Sequence, residues 1–569
     1  MKKFSFLIIC GISVLLTDCS YRFPDEKNIS PVQQTPVNIT AQDLGNVNFE
    51  NYIAIGNSLT AGFMDGALYP EGQMNAYPNL LAERLKEKGL TSSFISPWLP
   101  SDKPKGIAFR TSSTELQVLG RFQYQDLNPA CPLNGYTPSQ TVQTSVLLSS
   151  LTSPAGLQPL IPFIGLANNA SPLNINNFGI PGITISQFSQ NNYGNAQNVL
   201  TGANPYYIRF APSPTFTYAG SVLNHVIVRN PTFFTFWLGN NDALGFALNG
   251  GETFGVGGLL YPTSPSSFAV QFEAALDTLL ARTSAKGVVF NLPDNTLAAH
   301  FRQFASRTSP VYQPFTLTSI EADSLNKIYR YVFGNKAANP GAPDSVYFFA
   351  NRPNYYMMQV DKFVPGTTTV HTTFRQIIPG QDLPLLGIGA VLDSLGKGNI
   401  VSCGQVTPLQ RAGWGRVSTT RTTFISGLNI SVPTPMPIPD RLILDKDEVA
   451  TVKSAIFAYN QQIADIVKRL NQRYNNRLSL LDIATSFDRL NQSVDPIRAS
   501  VENGRMYMDM SPLGFYSSDG IHPTPKGQAL IANLLIDFLN ARAKDKNGNQ
   551  LNLRRYELTL FRGNDFPQQ

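Results

Sequence analysis

The chain has 569 residues, is 42% apolar and only 14% charged, and carries a formal net charge of +6. That is enough apolar material for one large domain with insertions, or for two to three domains. The excess positive charge is small for the length and no Lys/Arg run concentrates it, which argues against a nucleic-acid partner.

Lys2 and Lys3 precede an apolar run, Phe4–Leu16, which is too short for a permanent membrane span. This is the layout of an export signal. Cys19 follows in L-L-T-D-C-S, which resembles a bacterial lipobox. In such signals the cysteine becomes the lipidated first residue of the mature protein. The resemblance implies a signal peptide over 1–19, a membrane anchor at Cys19, and a place in the bacterial cell envelope. An outer-membrane lipoprotein facing the periplasm or the surface fits best. Asp18 stands where small residues are usual, and a soluble export signal cut nearby is the alternative.

Residues 20–49 are polar, contain Pro and Asn, and show no period, so they read as a tether. The folded domain is expected over 50–569. Tyr52–Ile55 is an apolar run that reads as a buried strand, and Pro78–Lys88 as an amphipathic helix. About 91–172 the pattern predicts an irregular insertion with short strands. Leu173–Phe178 is a short strand candidate, Ala219–Val228 a helix candidate, and Thr232–Leu238 a buried strand. Ser266–Arg282 carries Phe268, Phe272, Ala275, Leu276 and Leu279 at helical spacing. Gly287–Leu292 is the next strand and Ile320–Phe333 a further helix. About 339–440 helical spacing vanishes while Thr, Val, Gly and Pro rise, so a second, β-rich insertion is expected. Asp447–Asn475 is a long amphipathic helix, Leu478–Ile483 a strand, and Pro525–Ala541 a closing helix. Alternating strands and helices, with five mostly apolar strands, argue a parallel sheet covered on both faces. Ligand sites in such sheets lie beyond the carboxyl ends of the strands.

Of four cysteines, Cys10 falls in the signal, and Cys131 with Cys403 could form one disulfide or stay as thiols. There is no CxxC pair and no H-E-x-x-H, so no metal site is expected. No organic cofactor is expected either.

Ser58 stands in I-G-N-S-L-T, on a tight turn between a strand end and a helix start. There a hydroxyl can face a crevice beside amide N–H groups. Taken alone, it is an ordinary strand-to-helix turn with a serine cap. His522 stands in D-G-I-H-P, three residues after Asp519, close enough for the carboxylate to reach its Nδ1–H. Gly182 in G-I-P-G-I-T and Asn241 in G-N-N-D follow two other strand ends. A backbone N–H and a side-chain amide there could stabilise an oxyanion. Singly, these are a turn glycine and a loop asparagine.

Together the blocks G-N-S-L-T, N-F-G-I-P-G, G-N-N-D and D-G-I-H-P, in that order, resemble the SGNH (GDSL-type) esterase and lipase superfamily. The resemblance implies a three-layer α/β/α fold with a five-stranded parallel sheet of flavodoxin-like type, carrying the two insertions. It implies Ser58 as nucleophile, His522 as base and Asp519 as its orienter. Ser58 N–H, Gly182 N–H and the Asn241 amide would form the oxyanion hole. Substrates would be esters, either acyl lipids or acylated glycans. The family usually has Asp where this chain has Asn57. That departure keeps open a non-catalytic glycan- or lipid-binding lipoprotein on the same fold. An acyltransferase would use the same residues.

Overall fold

The computed structural model describes residues 41–99, 105–106, 108–110, 115–125, 137–147, 171–199, 202–212, 218–251, 261–302, 305, 310–333, 348–363, 370–385, 422–425, 430–433, 437–491, 498–501, 504–510 and 513–564. The expected signal peptide, Cys19, most of the tether, Cys131 and Cys403 lie outside them. All elements below belong to the unit Pro36–Gln569.

The core is a five-stranded parallel sheet. Its strands are β1 (Tyr52–Gly56), β2 (Asn177–Gly179), β3 (Phe233–Trp237), β4 (Lys286–Phe290) and β5 (Leu478–Leu481). They lie in the order β5-β4-β3-β1-β2. Every pairing between neighbours is parallel. The strands are short apolar runs buried along almost their whole length, as expected of a sheet covered on both faces.

Helices α1 (Ser58–Ala61), α2 (Tyr77–Glu87), α3 (Asn241–Leu248), α4 (Pro265–Arg282), α5 (Lys446–Arg473) and α6 (Pro525–Arg542) complete the framework. Adjacent residues of β3 show the layers, because side chains alternate along a strand. Phe236 packs edge-on against Phe272 of α4, with ring centroids 5.2 Å apart. Trp237 points the other way and meets Tyr77 of α2 at 5.7 Å. The result is a three-layer α/β/α sandwich. Helix α5 joins the α4 side, where Tyr459 stacks on Phe268 at 4.2 Å. Its apolar stripe, Val449, Val452, Ile456, Ile463, Ile466 and Leu470, is buried as the spacing predicts. It starts where a capping box forms: Asp445 accepts the Asp447 and Glu448 N–H groups, and Glu448 accepts the Asp445 N–H.

Three details depart from the sequence reading. Residues before 50 join the folded body. Gly45–Asn46 pairs with Ala543–Lys544, and Leu44, Val47 and Phe49 are buried in the main core. The strand expected from Leu173 begins only at Asn177, because Ser171 caps a turn over Pro172–Asn174. The first insertion holds a hairpin of two 11-residue strands, Glu115–Gln125 and Thr137–Leu147, longer than the short strands expected. Its register shifts at Val118–Phe122, which breaks the period-2 pattern in the sequence. The second insertion holds the antiparallel hairpins Met357–Phe363/Val370–Gln376 and Thr422–Ile425/Ile430–Pro433. Among the described residues no helix is long and apolar enough to cross a membrane.

Candidate active site

Sheet register gathers the site. Gly56 at the end of β1 pairs with Gly179 of β2 on one side and with Trp237 of β3 on the other. Three strands therefore stop nearly level, and the loops after them open on one edge. Ser58, Gly182 and Asn241 follow within two to four residues of these stops. The chain passes from β1 outward to β2 and then back across to β3, so β1 sits at the reversal of strand order, where open α/β sheets form a crevice.

Helix α1 is a single turn. Asn57 caps it by accepting the Leu59 N–H at 3.0 Å, and Gly62 ends it at φ +75°. This short helix lies directly on β2. A Cβ on Gly179 would stand 2.2 Å from the Ala61 nitrogen, so only glycine admits the approach. Ser58 is the first helical residue. Among the described residues neither its N–H nor that of Gly182 has a hydrogen-bond acceptor.

Asn57 and Asn240 form a matched pair beneath the serine. The Asn57 amide donates to Asn240 Oδ1 at 3.2 Å, and both residues are buried. Asn241 donates from Nδ2 to the Ile183 carbonyl at 2.9 Å, and its second amide proton has no acceptor among the described residues. That bond also ties the Gly182 loop to the end of β3. Gly182 itself adopts φ +82°. It does not line the cleft and lies one peptide behind Asn241's anchor at Ile183. Asp242, fully buried behind Asn241, accepts the Ile185 N–H and the Thr263 hydroxyl. Burial pushes its carboxyl up to about 6 despite those bonds.

The histidine comes from the loop before α6. His522 Nδ1–H donates to Asp519 Oδ2 at 2.7 Å, and Nε2 has no partner among the described residues. Asp519 is well supplied with donors. Oδ1 accepts the Ile521 and His522 N–H groups at 2.9 and 2.8 Å and the Ser517 hydroxyl at 3.2 Å. Oδ2 also accepts the Gly66 N–H at 2.7 Å. Burial alone would raise this carboxyl, but the His522 ring and the backbone donors outweigh it and hold it at about 2. The His522 ring packs against Phe63 at a tilt, centroids 4.7 Å apart and planes at 54°. Behind the loop, the ring of His300 donates from Nδ1 to the Asp519 carbonyl at 3.2 Å.

One cleft is lined by Asn57, Ser58, Asn240, Asn241, Asp294, Asn295 and His522 on its polar side. Leu244, Pro293, Ala298, Phe487, Phe515 and Ile521 form its apolar wall. Ser58, Asn241 and His522 thus meet in one cavity, with Asp519 behind the histidine. Among the described residues no group of His, Cys, Asp and Glu could hold a metal ion.

Four participants escaped the sequence reading: Asn240, Asp65, Ser517 and His300. Asn240 is signalled only by the doubled asparagine of G-N-N-D. Asp65 is signalled by the Asp-Gly dipeptide of M-D-G-A, a hairpin-turn signature. Ser517 and His300 act through backbone and carboxylate contacts that carry no sequence pattern.

Comparison with curated proteins and with solved structures finds no match. Residues 409–535 match the family model described as GDSL-like Lipase/Acylhydrolase. The matched stretch holds α5, β5 and the Asp519–His522 loop, whereas Ser58, Gly182 and Asn241 lie ahead of it. Helix α5, the edge strand β5 and the histidine loop are therefore similar to a family of lipases and acylhydrolases.

Proposed function

We propose that the protein is a serine ester hydrolase of the lipase/acylhydrolase type. One observation carries the reading. An Asp-bound histidine, with Nε2 free, lines the same cleft as a serine at a helix start and an asparagine with an unused amide proton.

The chemistry follows from those groups. His522 Nε2 takes the proton of Ser58 Oγ as the oxygen attacks an ester carbonyl. Asp519 keeps the ring in the tautomer that accepts at Nε2 and stabilises the imidazolium. The carbonyl oxygen becomes an oxyanion, which the Ser58 N–H and the Asn241 amide stabilise from the cleft wall, while Gly182, expected as a third donor, lies behind it in the loop that anchors Asn241. The tetrahedral intermediate collapses, His522 protonates the leaving alcohol, and water repeats the sequence on the acyl-enzyme. No metal or organic cofactor enters these steps.

Asn57 fits this reading. Its carbonyl oxygen caps α1 as a carboxylate would, and its NH2 matches the acceptor on Asn240. The apolar wall suits the acyl part of an acyl lipid or an acylated glycan. An export signal with a lipid anchor at Cys19 would place the enzyme in the cell envelope, facing such esters. Labelled palmitate incorporated by the wild type and lost in Cys19→Ala would support the anchor, and equal incorporation by both would rule it out.

The activity is tested on p-nitrophenyl esters from acetate upward and on acetylated glycans, with wild type beside Ser58→Ala. Hydrolysis by the wild type that vanishes in the variant is expected. Equal rates in the two proteins would remove Ser58 from the chemistry.

A further inference from the structure

The nucleophile segment does not end at Ser58. Met64 and Ala67 exchange both backbone hydrogen bonds across Asp65-Gly66, at 3.0 Å each. Both central residues have positive φ, +53° and +70°, so this is a two-residue hairpin turn of type I′. Such a turn points its two central N–H groups outward. The Asp65 N–H donates to Ser517 Oγ at 2.9 Å, and the Gly66 N–H donates to Asp519 Oδ2 at 2.7 Å. Ser517 Oγ in turn donates to Asp519 Oδ1 at 3.2 Å. The turn therefore reaches both oxygens of Asp519, one directly and one through Ser517.

The Asp65 carboxylate fixes the turn to the same loop. Oδ1 accepts the Ser518 N–H at 2.9 Å. Oδ2 accepts the Tyr69 hydroxyl at 2.5 Å and Arg121 Nη2 at 3.1 Å. Arg121 comes from the long hairpin of the first insertion, and its guanidinium also lies over the Tyr69 ring, 4.1 Å from the centroid. The same hairpin donates the Phe122 N–H to the Asp65 carbonyl at 2.7 Å. A positive φ at a non-glycine residue is a strained conformation, and here every polar group of Asp65 is engaged.

We propose that Asp65 is a positioning residue for the Asp519–His522 pair, and that Arg121 of the inserted hairpin completes its clamp. The insertion then serves the reaction by fixing the triad carboxylate, besides any role in covering the cleft. Shared contacts with one hairpin keep nucleophile and carboxylate at constant separation, the kind of preorganisation on which triad chemistry depends. The inference rests on the ester-hydrolase reading for its kinetic consequences, while the clamp itself is a matter of geometry.

The test uses the full-length protein as wild type, Asp65→Asn, Arg121→Ala, Arg121→Lys and the double variant D65N/R121A. Asn-Gly favours the type I′ turn as Asp-Gly does, so D65N keeps the hairpin and removes the charge. Active sites are counted with a fluorophosphonate, and kcat per site and KM are measured on p-nitrophenyl acetate. D65N and R121A should each lower kcat about tenfold with KM nearly unchanged. R121K should recover most of the loss, and the double variant should be no worse than the poorer single, since both act through one contact. The downfield proton NMR resonance of His522 Nδ1–H, assigned by its absence in His522→Asn, should shift or broaden in D65N and R121A. Wild-type kcat per site in both single variants, or losses that multiply in the double, would overturn the clamp. Should the wild type hydrolyse no ester, the hydrolase reading fails and the resonance decides: a shift supports the clamp, and an unchanged signal refutes it. If D65N does not fold, R121A and R121K decide it, because the Arg121 side chain is 31% exposed.

Discussion

Asn57 donates its side-chain amide to Asn240 Oδ1 across 3.2 Å, in the buried floor beneath Ser58. The pair links the end of β1 to the end of β3 and accounts for an asparagine at position 57. A carboxylate there would face the Asn240 oxygen unless that amide turned over. In Asn57→Asp the Asn240 side chain can rotate to present its NH2, and Asn240→Asp keeps the acceptor for Asn57. Each single variant should lose no more than about 1 kcal/mol of stability. The double variant sets two buried carboxylates against each other and should cost about 3 kcal/mol or more, beyond the sum of the singles. Urea denaturation of the four proteins measures the coupling; additive losses would show that the two amides do not pair.

Asp519 makes stability depend on acidity. Its carboxyl is held at about 2 in the folded state, below the ordinary value of about 3.9. A depressed carboxyl contributes stability above the unfolded value, and the contribution is lost as pH falls through the folded one. The window runs from about pH 4 down to about pH 2, and the amount is about 2 kcal/mol. Asp519→Asn should be less stable than wild type at pH 6, and the gap should close towards pH 2. Urea midpoints across that range check it, and a constant gap would mean that the carboxylate's charge is not stabilised by its surroundings. Turnover at neutral pH should fall about ten-thousandfold in the same variant, because the histidine loses its tautomer control.

Asn241 offers a test of the proposed oxyanion donors. Asn241→Ala removes the free amide proton and the bond to Ile183. It should lower kcat about a hundred- to a thousandfold with little change in KM. Steady-state kinetics on p-nitrophenyl acetate give the split, and a loss confined to KM would make Asn241 a binding residue only.

Two glycines should respond differently to alanine. At Gly182 the nearest atom to an added Cβ is 4.0 Å away, so the cost is the positive φ alone, about 1–2 kcal/mol. At Gly179 the Cβ would strike the backbone of α1, which must move and carry Ser58 with it. Gly179→Ala should therefore lose more stability and much more activity than Gly182→Ala. Thermal melts and kcat compare the two, and the reverse order would contradict the placement of α1 on β2.

Much of this was legible in the sequence, for identifiable reasons. Strands β1, β3 and β4 are apolar runs with Gly or Pro at or just after their ends, and α5 and α6 open with clear caps, so burial and capping wrote themselves into residue type. The Asp519–His522 spacing is local and therefore visible. What stayed hidden depends on contacts between distant segments. The bond from Gly66 to Asp519 spans 453 residues and uses a backbone N–H, which has no side-chain signature. The Asn57–Asn240 pair spans 183 residues and becomes apparent only once β1 and β3 are known to be neighbours. The strand placed at Leu173 was obscured by the Ser171 cap, whose serine-proline start also suits a loop.

The proposed reaction turns on Ser58 as a nucleophile activated by His522. A fluorophosphonate probe, followed by peptide mapping, tests it most directly. A single covalent adduct is expected, on Ser58, that forms in the wild type and is slowed at least a hundredfold in His522→Ala. No adduct in the folded wild-type protein, or an adduct on another residue, would contradict it.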